Sequence, residues 1–303
     1  MYFIVLGLVA AAAAAVVVFA STHTVAMFDP KGTIGLEERN LMIVAALLML
    51  VVVIPVFVMT FVFAWRYRAD NEKAEYTPTW DHDIRYELAW WAFPIAIIIV
   101  LAVITWQSSH ALSPYRPIAG SVPPVPVDVV ALDWKWLFIY PQQGIATVNM
   151  LKLPVDTPIA FHITADAPMN SFWIPSLGGQ IYAMPGMSTQ LHLMASATGT
   201  YEGLSANLSG NGFASMHFPA EVVSRAAFAA WAQGVRNATG TYGALTLPAY
   251  EALSTPSARY PETLYASIDP SLYGWIVMKY MSPNASTTTT TIPMSTMAIP
   301  RAL

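Results

Sequence analysis

The residues best suited to chemistry are six histidines, a Met–His pair at 216 and 217, and two serines four residues apart. Those serines, Ser205 and Ser209, lie in the stretch GLSANLSGNGFASM, residues 203–216. Imidazole and thioether are copper donors, so His162 with His192, or Met216 with His217, are the first pairs to weigh. A blue-copper site adds a cysteine thiolate to two imidazoles, and the chain has no cysteine. The same lack excludes disulfides and thiolate metal centres. His23, His82, His110, His162, His192 and His217 are therefore read as ordinary surface or core residues. Neither serine is accompanied by a recognisable His–Asp pair, which sets aside hydroxyl nucleophilic catalysis.

The elements that hold these residues belong to a chain of 303 residues, 55% hydrophobic and 11% charged. Soluble domains carry about 25% charged residues, so the composition points to a membrane. A formal net charge of −4 argues against nucleic acid as a partner. Residues 1–22, with alanine at every position from Ala10 to Ala15, read as a signal peptide or a retained anchor. Residues 41–65 and 89–107 are each long enough for a membrane helix, which needs about 20 residues. Neither contains Lys, Arg, Asp, Glu or His, and Pro55 and Pro94 are tolerable inside such helices. Trp65, Tyr67, Trp90, Trp91 and Trp106 suit the headgroup level.

Positive charge orients the pair. The loop 66–88 carries Arg66, Arg68, Lys73 and Arg85, against Lys31 and Arg39 before residue 41 and Arg116 after Trp106. The loop is expected in the cytoplasm, with residues 23–40 and everything beyond Trp106 outside. Asp81, Asp83 and Glu87 are read as a solvated charged face of that loop.

Beyond Val125 the pattern becomes that of strands. Residues 127–132, 136–140, 145–150, 159–164, 171–175, 189–194 and 199–204 are rich in β-branched and aromatic types. Pro141, Asp156, Asp166, Gly178 and Gly199 separate them. Strands so spaced within residues 125–222 predict a two-sheet sandwich. Residues 223–281 turn helical, over 225–237, 247–253 and 270–281. They are rich in aromatics: Tyr242, Tyr250, Tyr260, Tyr265, Tyr273, Trp275 and Tyr280. Residues 282–303, with threonine from Thr287 to Thr291, read as a low-complexity tail.

Several segments in one order carry a resemblance. They are DPKGTIGLE (29–37), FAWRYRA (63–69), LDWKWLFIYPQQGIATVNM (132–150), MNSFWIPSLGGQIYAMPGM (169–187) and GTYEGLSANLSGNGFASM (199–216). Together they resemble subunit II of the haem-copper oxidases, specifically the quinol-oxidising, cytochrome bo type. The resemblance implies a two-helix transmembrane hairpin, then a cupredoxin-like β-sandwich or barrel with a short helical C-terminal extension. In cytochrome c oxidases the matching loop carries two Cys four residues apart, a Glu between them, then a His and a Met, with a further His upstream. By that resemblance the ligand positions here are Asn170, Ser205, Asn207, Ser209, Phe213 and Met216, and Met216 alone keeps a ligand type. A hydroxyl is a poor substitute for a bridging thiolate, so no metal-binding, cofactor-binding or catalytic residue is expected in this chain.

The resemblance further implies a non-catalytic subunit of a proton-translocating ubiquinol oxidase in a bacterial inner membrane. Haems and copper would belong to subunit I, the main partner, with subunits III and IV and membrane lipid around it. Quinol delivers electrons to the large subunit from the membrane, which leaves the copper ligands free to be lost. Asp133, Trp134, Lys135 and Trp136 fall where copper-containing relatives have an aromatic electron-entry patch. Without copper, Trp134, Trp136 and the tyrosines from Tyr242 onward are expected to pack against the membrane-embedded neighbour. Family lipoprotein signals end at a Cys near the position of His23, so lipid attachment is not carried over. Two alternatives stand beside this reading. One is a divergent cytochrome c oxidase subunit II, although nine acidic against eight basic residues after Trp106 make a poor docking face for a basic cytochrome. The other is a membrane-anchored cupredoxin-like binding protein outside any oxidase.

Overall fold

The computed structural model describes residues 25–71, 73, 77 and 79–281, with Gly7, Ala11, Ala14, Ala15, Val18 and Phe19 as isolated positions. The expectations for residues 1–22 and 282–303 lie outside the described residues, apart from those isolated positions. The chain divides into two compact units, Glu37–Ser113 and the combination of Met1–Leu36 with Pro114–Leu303.

The first unit holds two long helices, α1 (Thr33–Arg66) and α2 (Ile84–Ala111). Both are long and apolar enough to cross a membrane. Large apolar side chains lie exposed along each, such as Phe57 at 58% and Ile98 at 63%. A helix apolar on every side suits lipid better than water. Both helices overrun the apolar segments 41–65 and 89–107. At α2 the cause is a cap: the Asp83 carboxylate accepts from the Arg85 N–H at 2.9 Å. Asp83 and Glu87 thus open a helix and do not sit in a solvated loop, and Glu87 pairs with His82 at 2.5 Å.

The second unit is a sandwich. Its strands are β1 (Val125–Leu132), β2 (Lys135–Tyr140), β3 (Ile145–Val148), β4 (Leu151–Pro154), β5 (Ile159–Ala165), β6 (Asn170–Trp173), β7 (Ile181–Ala183), β8 (Thr189–Leu193), β9 (Gly199–Ser205) and β10 (His217–Val223). The extension adds α3 (Arg225–Asn237), β11 (Ala244–Leu245), α4 (Leu247–Ser254), β12 (Thr263–Tyr265), β13 (Ser267–Ile268) and α5 (Leu272–Met278). One sheet runs β12-β3-β2-β1-β5-β8 and the other β4-β10-β9-β6-β7. The sequence expectation held one strand over 145–150; the structure ends β3 at Val148 and starts β4, in the other sheet, at Leu151. Asn149, with φ 53°, breaks the run, a left-handed turn that Asn tolerates. β7 and β10 were not expected, the first for its brevity and the second because Pro219 interrupts it. The boundary at 222/223 is also not a packing boundary, since β12 pairs antiparallel with β3.

Alternation along the strands explains the core. Val127, Val129, Trp136, Phe138, Phe161 and Ile163 face Phe172, Phe218, Ala220 and Val222 of the other sheet. On the opposite face Val130, Leu132, Leu137, Ile139 and Val148 meet Tyr250, Leu253, Leu272 and Ile276 of the extension. A sheet covered on both sides needs a nearly continuous apolar run, which β1 and β2 supply. At the centre Phe172 stacks on Phe218 at 5.6 Å, and Phe138 meets Phe218 edge-on at 4.9 Å. Such pairs add about 0.5–1.5 kcal/mol each beyond area burial. Trp136 and Tyr250 are both 0% exposed, so they are core residues and not the partner contacts expected of them.

The residues preceding α1 join this body. Gly32 forms a bridge with Ala195. The Lys31 N–H donates to the Ser176 carbonyl at 2.6 Å, the Gly35 N–H to Leu177 at 3.0 Å, and the Ser196 N–H to Lys31 at 2.8 Å. A Cβ at Gly32 would lie 2.3 Å from the Leu177 carbonyl oxygen, so only glycine fits. The DPKGTIGLE segment is therefore a strap laid along the sandwich.

Asp166 locks the extension down. Its carboxylate, 2% exposed, receives Lys279 Nζ at 2.7 Å. It also accepts from the Tyr250 hydroxyl at 2.6 Å and from the Tyr280 hydroxyl. Burial, then the Asp166 carboxylate, pushes both phenols above their ordinary value of 10.0. The unfolded chain therefore loses its phenol protons first, and stability falls as pH rises past about 10. Alkaline titration of the thermal midpoint checks this. Asp166→Ala strands these donors and is expected to cost about 2–4 kcal/mol. Chemical unfolding measures that loss, and limited proteolysis should then cut within the extension.

Candidate functional site

The six positions singled out in the sequence fall around the connection from β9 to β10 and the start of β6. β9 ends on Ser205 and β10 begins at His217, joined by a loop that closes with a short 3-10 turn, Phe213–Ser215. The Ser205 N–H donates to the Met216 carbonyl at 3.2 Å, which shuts the base of the loop. The Ala206 N–H donates to the Ser171 carbonyl at 3.0 Å and ties the loop to β6.

Side chains complete the tie. The Ser205 hydroxyl donates to Asn170 Oδ1 at 2.9 Å and also approaches the Asn207 carbonyl at 3.3 Å. Asn170 Nδ2 donates to the Pro168 carbonyl at 2.7 Å, and Asn207 Nδ2 to the Met169 carbonyl at 3.0 Å. Asn170 is 0% exposed, Ser205 3% and Met216 1%. The structure thus brings Asn170, Ser205, Asn207 and Met216 together. Ser209 and Phe213 are held through the main chain: Trp134 Nε1 donates to the Ser209 carbonyl at 3.4 Å, and the Phe213 N–H to Gly210 at 3.2 Å. The Ser209 hydroxyl is buried without a hydrogen-bond partner.

Trp134, expected to pack against a neighbouring subunit, packs its indole on this loop. It sits in the β1–β2 turn at φ 63°, a left-handed conformation that costs a non-glycine residue about 1–2 kcal/mol. Its indole lies on the loop, where a Cβ at Gly212 would come within 2.3 Å of the ring. The SGNG run provides that shelf, and its glycines were the available signal.

Chemically the cluster consists of amides, a hydroxyl and a thioether. It can donate and accept hydrogen bonds, but it offers no thiolate, imidazole or carboxylate to a hard or borderline cation. The histidines are engaged elsewhere. His162 Nδ1 lies 2.9 Å from Asp128, His192 Nδ1 2.9 Å from the Pro114 carbonyl, and His217 Nδ1 3.2 Å from Glu202. Met216 is buried while the adjacent His217 is 52% exposed, on opposite faces of the chain, so the two cannot share an ion. Among the described residues no three His, Cys, Asp or Glu are grouped to hold a metal.

Comparison with known proteins gives the following. The family of the cytochrome c oxidase subunit II periplasmic domain matches residues 129–223, and the COX aromatic-rich motif matches residues 241–284. The cytochrome bo(3) ubiquinol oxidase subunit 2 of Pseudomonas putida is 52% identical over 85% of this chain and 81% of its own length. The ubiquinol oxidase subunit 2 of Acetobacter aceti is 48% identical over 84% of this chain and 82% of its own. Among solved structures, the periplasmic domain of subunit II of the Bradyrhizobium japonicum cytochrome oxidase is 22% identical, with a TM-score of 0.37. It covers 39% of this chain and 96% of that one.

Ser205→Ala is the sharpest test of the hydrogen-bonded cluster. It leaves the Asn170 carbonyl oxygen buried without its donor, which costs about 1–3 kcal/mol. Urea unfolding of the wild type and the variant measures the difference, and Ser205→Thr, which keeps a hydroxyl, should lose less.

Proposed function

The chain belongs to the family of ubiquinol oxidase subunit 2, and on that premise we propose that it is a non-catalytic, structural subunit of a proton-translocating ubiquinol oxidase. The complex oxidises ubiquinol and reduces oxygen to water in the aerobic respiratory chain. Haems and copper reside in subunit I, the main partner, with subunits III and IV and lipid completing the surroundings. The observation that carries this reading is the bond between Ser205 and Asn170, two positions at which the resemblance puts copper ligands. A hydroxyl and an amide committed to each other build a joint between strands and not a relay for electrons. A divergent cytochrome c oxidase subunit II and a free-standing binding protein are not favoured, because relatives at 52% and 48% identity are ubiquinol oxidase subunits.

The proposed setting is the bacterial inner membrane, with α1 and α2 as a hairpin, loop 66–88 cytoplasmic, and residues 23–40 and the cupredoxin-like sandwich periplasmic. The strap supports it. Residues up to Leu36 and those from Pro114 onward form one compact unit, so both stand on one side, and the chain between them crosses an even number of times. A reporter active only outside the membrane should work when fused after Tyr115 and stay silent when fused at Asn71. The reverse pattern overturns the topology.

The role itself is tested on one preparation, by haem content, subunit composition and quinol oxidase turnover after mild-detergent purification. The chain should co-purify with a large haem protein. A variant carrying Ser205→Ala and Asn170→Ala should lower the yield of assembled complex while turnover per haem stays near normal. Normal assembly with turnover reduced by orders of magnitude would instead indicate an electron relay. Addition of Cu(II) should produce no purple binuclear chromophore.

A further inference from the structure

Thioether sulfurs are copper ligands, and the chain carries three Met-x-x-Met sequences, two of them among the described residues of its outer domain. One is MPGM, residues 184–187, between β7 and β8; the other is MKYM, residues 278–281, at the end of α5. Each closes as a tight turn. The Met187 N–H donates to the Met184 carbonyl at 3.4 Å, and the Met281 N–H to the Met278 carbonyl at 3.0 Å. A turn of this kind holds its end Cα atoms within about 7 Å, so both sulfurs of each motif can serve one point. MPGM has the signature of a type II turn, Pro185 followed by Gly186 at φ +73°.

The two turns lie against each other although they are far apart in sequence. A Cβ built on Gly186 would stand 3.2 Å from the Tyr280 Cβ and 3.6 Å from the Tyr280 carbonyl. Ser188 Oγ, just past the first turn, bonds the Tyr273 hydroxyl of α5 at 2.8 Å. The contact therefore brings the two turns together at Gly186 and Tyr280, so their four methionines stand on touching segments. These side chains are not packed away: Met187 is 51% exposed, Met281 58% and Met278 39%. The one cation nearby, Lys279, spends its charge on the Asp166 carboxylate at 2.7 and 3.0 Å.

We propose that the paired turns form a surface site for monovalent copper, drawing its thioether ligands from Met184, Met187, Met278 and Met281. Soft, uncharged thioethers select Cu(I) over Zn(II), Cu(II) and the hard cations. The site is separate from the β9–β10 loop and requires no redox change in this chain. It departs from the sequence expectation of a chain without metal, which weighed His162 with His192, Met216 with His217, and the ligand positions of the β9–β10 loop. Bare exposed methionines also suit an apolar docking patch, and that reading predicts no copper.

The test uses the purified full chain, alone or in its complex, under anaerobic reducing conditions. Cu(I) is supplied as its weakly held acetonitrile complex, and transfer is read as protein-bound copper after desalting. The wild type is expected to take a single equivalent beyond any copper already bound. Met187→Leu with Met281→Leu, near-isosteric apolar swaps, should abolish that transfer, and Ser205→Ala should leave it intact. A wild-type readout guards against a misfolded variant: Ag(I), a redox-silent mimic, should protect Met187 and Met281 from peroxide oxidation in mass-spectrometric footprinting. No transfer to the wild type, equal transfer to the double Leu variant, or no protection by Ag(I) overturns the proposal. Unchanged assembly of the Leu variant with no copper uptake by either protein would assign the patch to docking.

Discussion

The β1–β2–β3 part of the six-stranded sheet has no face left for water, and the rest of the outer domain follows from that. An antiparallel sheet with one wet face would show polar residues at alternate positions of β1 and β2, and it does not. The second apolar face has to be covered, and the aromatic-rich extension covers it. Two buried ions of opposite sign secure the cover. Lys135, at 0% exposure, donates to the Thr255 carbonyl at 2.7 Å and Ser257 Oγ at 2.5 Å, where α4 ends. A cation there complements the negative end of the helix. Burial lowers the affinity of this amine for its proton, and Asp133 partly restores it. Asp166 does the converse across the same layer, an anion from the sandwich receiving donors from the extension.

The loop between β9 and β10 illustrates how a joint can be made without a metal. A metal ion holds several strands through one centre and tolerates polar, even charged, ligands in a core. Here directional bonds among Ser205, Asn170 and Asn207 take that place, and within this loop the Ser209 hydroxyl is left buried without a partner. The strained Trp134 turn is tolerable because its ring gains a glycine shelf. Hydrogen bonds of this kind rigidify a core, but unlike a metal centre they carry no electron.

Much of this was legible in the sequence for identifiable reasons. The two long apolar helices announced themselves by length and absence of charge, and α3 by its spacing of Phe228, Trp231 and Val235. Most strands of the sandwich stood within a residue or two of their true limits. What misled was local. Trp134 and Trp136 look equivalent in a string of letters, yet alternation sends Trp136 to the core and the turn sends Trp134 onto the loop. One residue, Asn149, decides that the strand expected over 145–150 stops at Val148 and that another starts at Leu151. The Ser205–Asn170 pair needed the fold to bring positions 35 residues apart into one bond. The adjacency of the two Met turns, nearly a hundred residues apart, left no trace in the local pattern.

The strap imposes an order of events on biogenesis. Ser196 bonds to Lys31 across 165 residues of sequence, and everything between, including both long apolar helices, must be made before the strap can find its seat. Closing so long a loop is entropically slow. Threading Gly32 beneath the Leu177 carbonyl is therefore a late event, a latch that clicks only after both helices and most of the sandwich exist. On the proposed hairpin topology, a nascent chain with one helix left out of the bilayer would have strap and seat in different compartments, unable to meet. Under that topology the latch would proofread membrane insertion, through a single residue without a side chain.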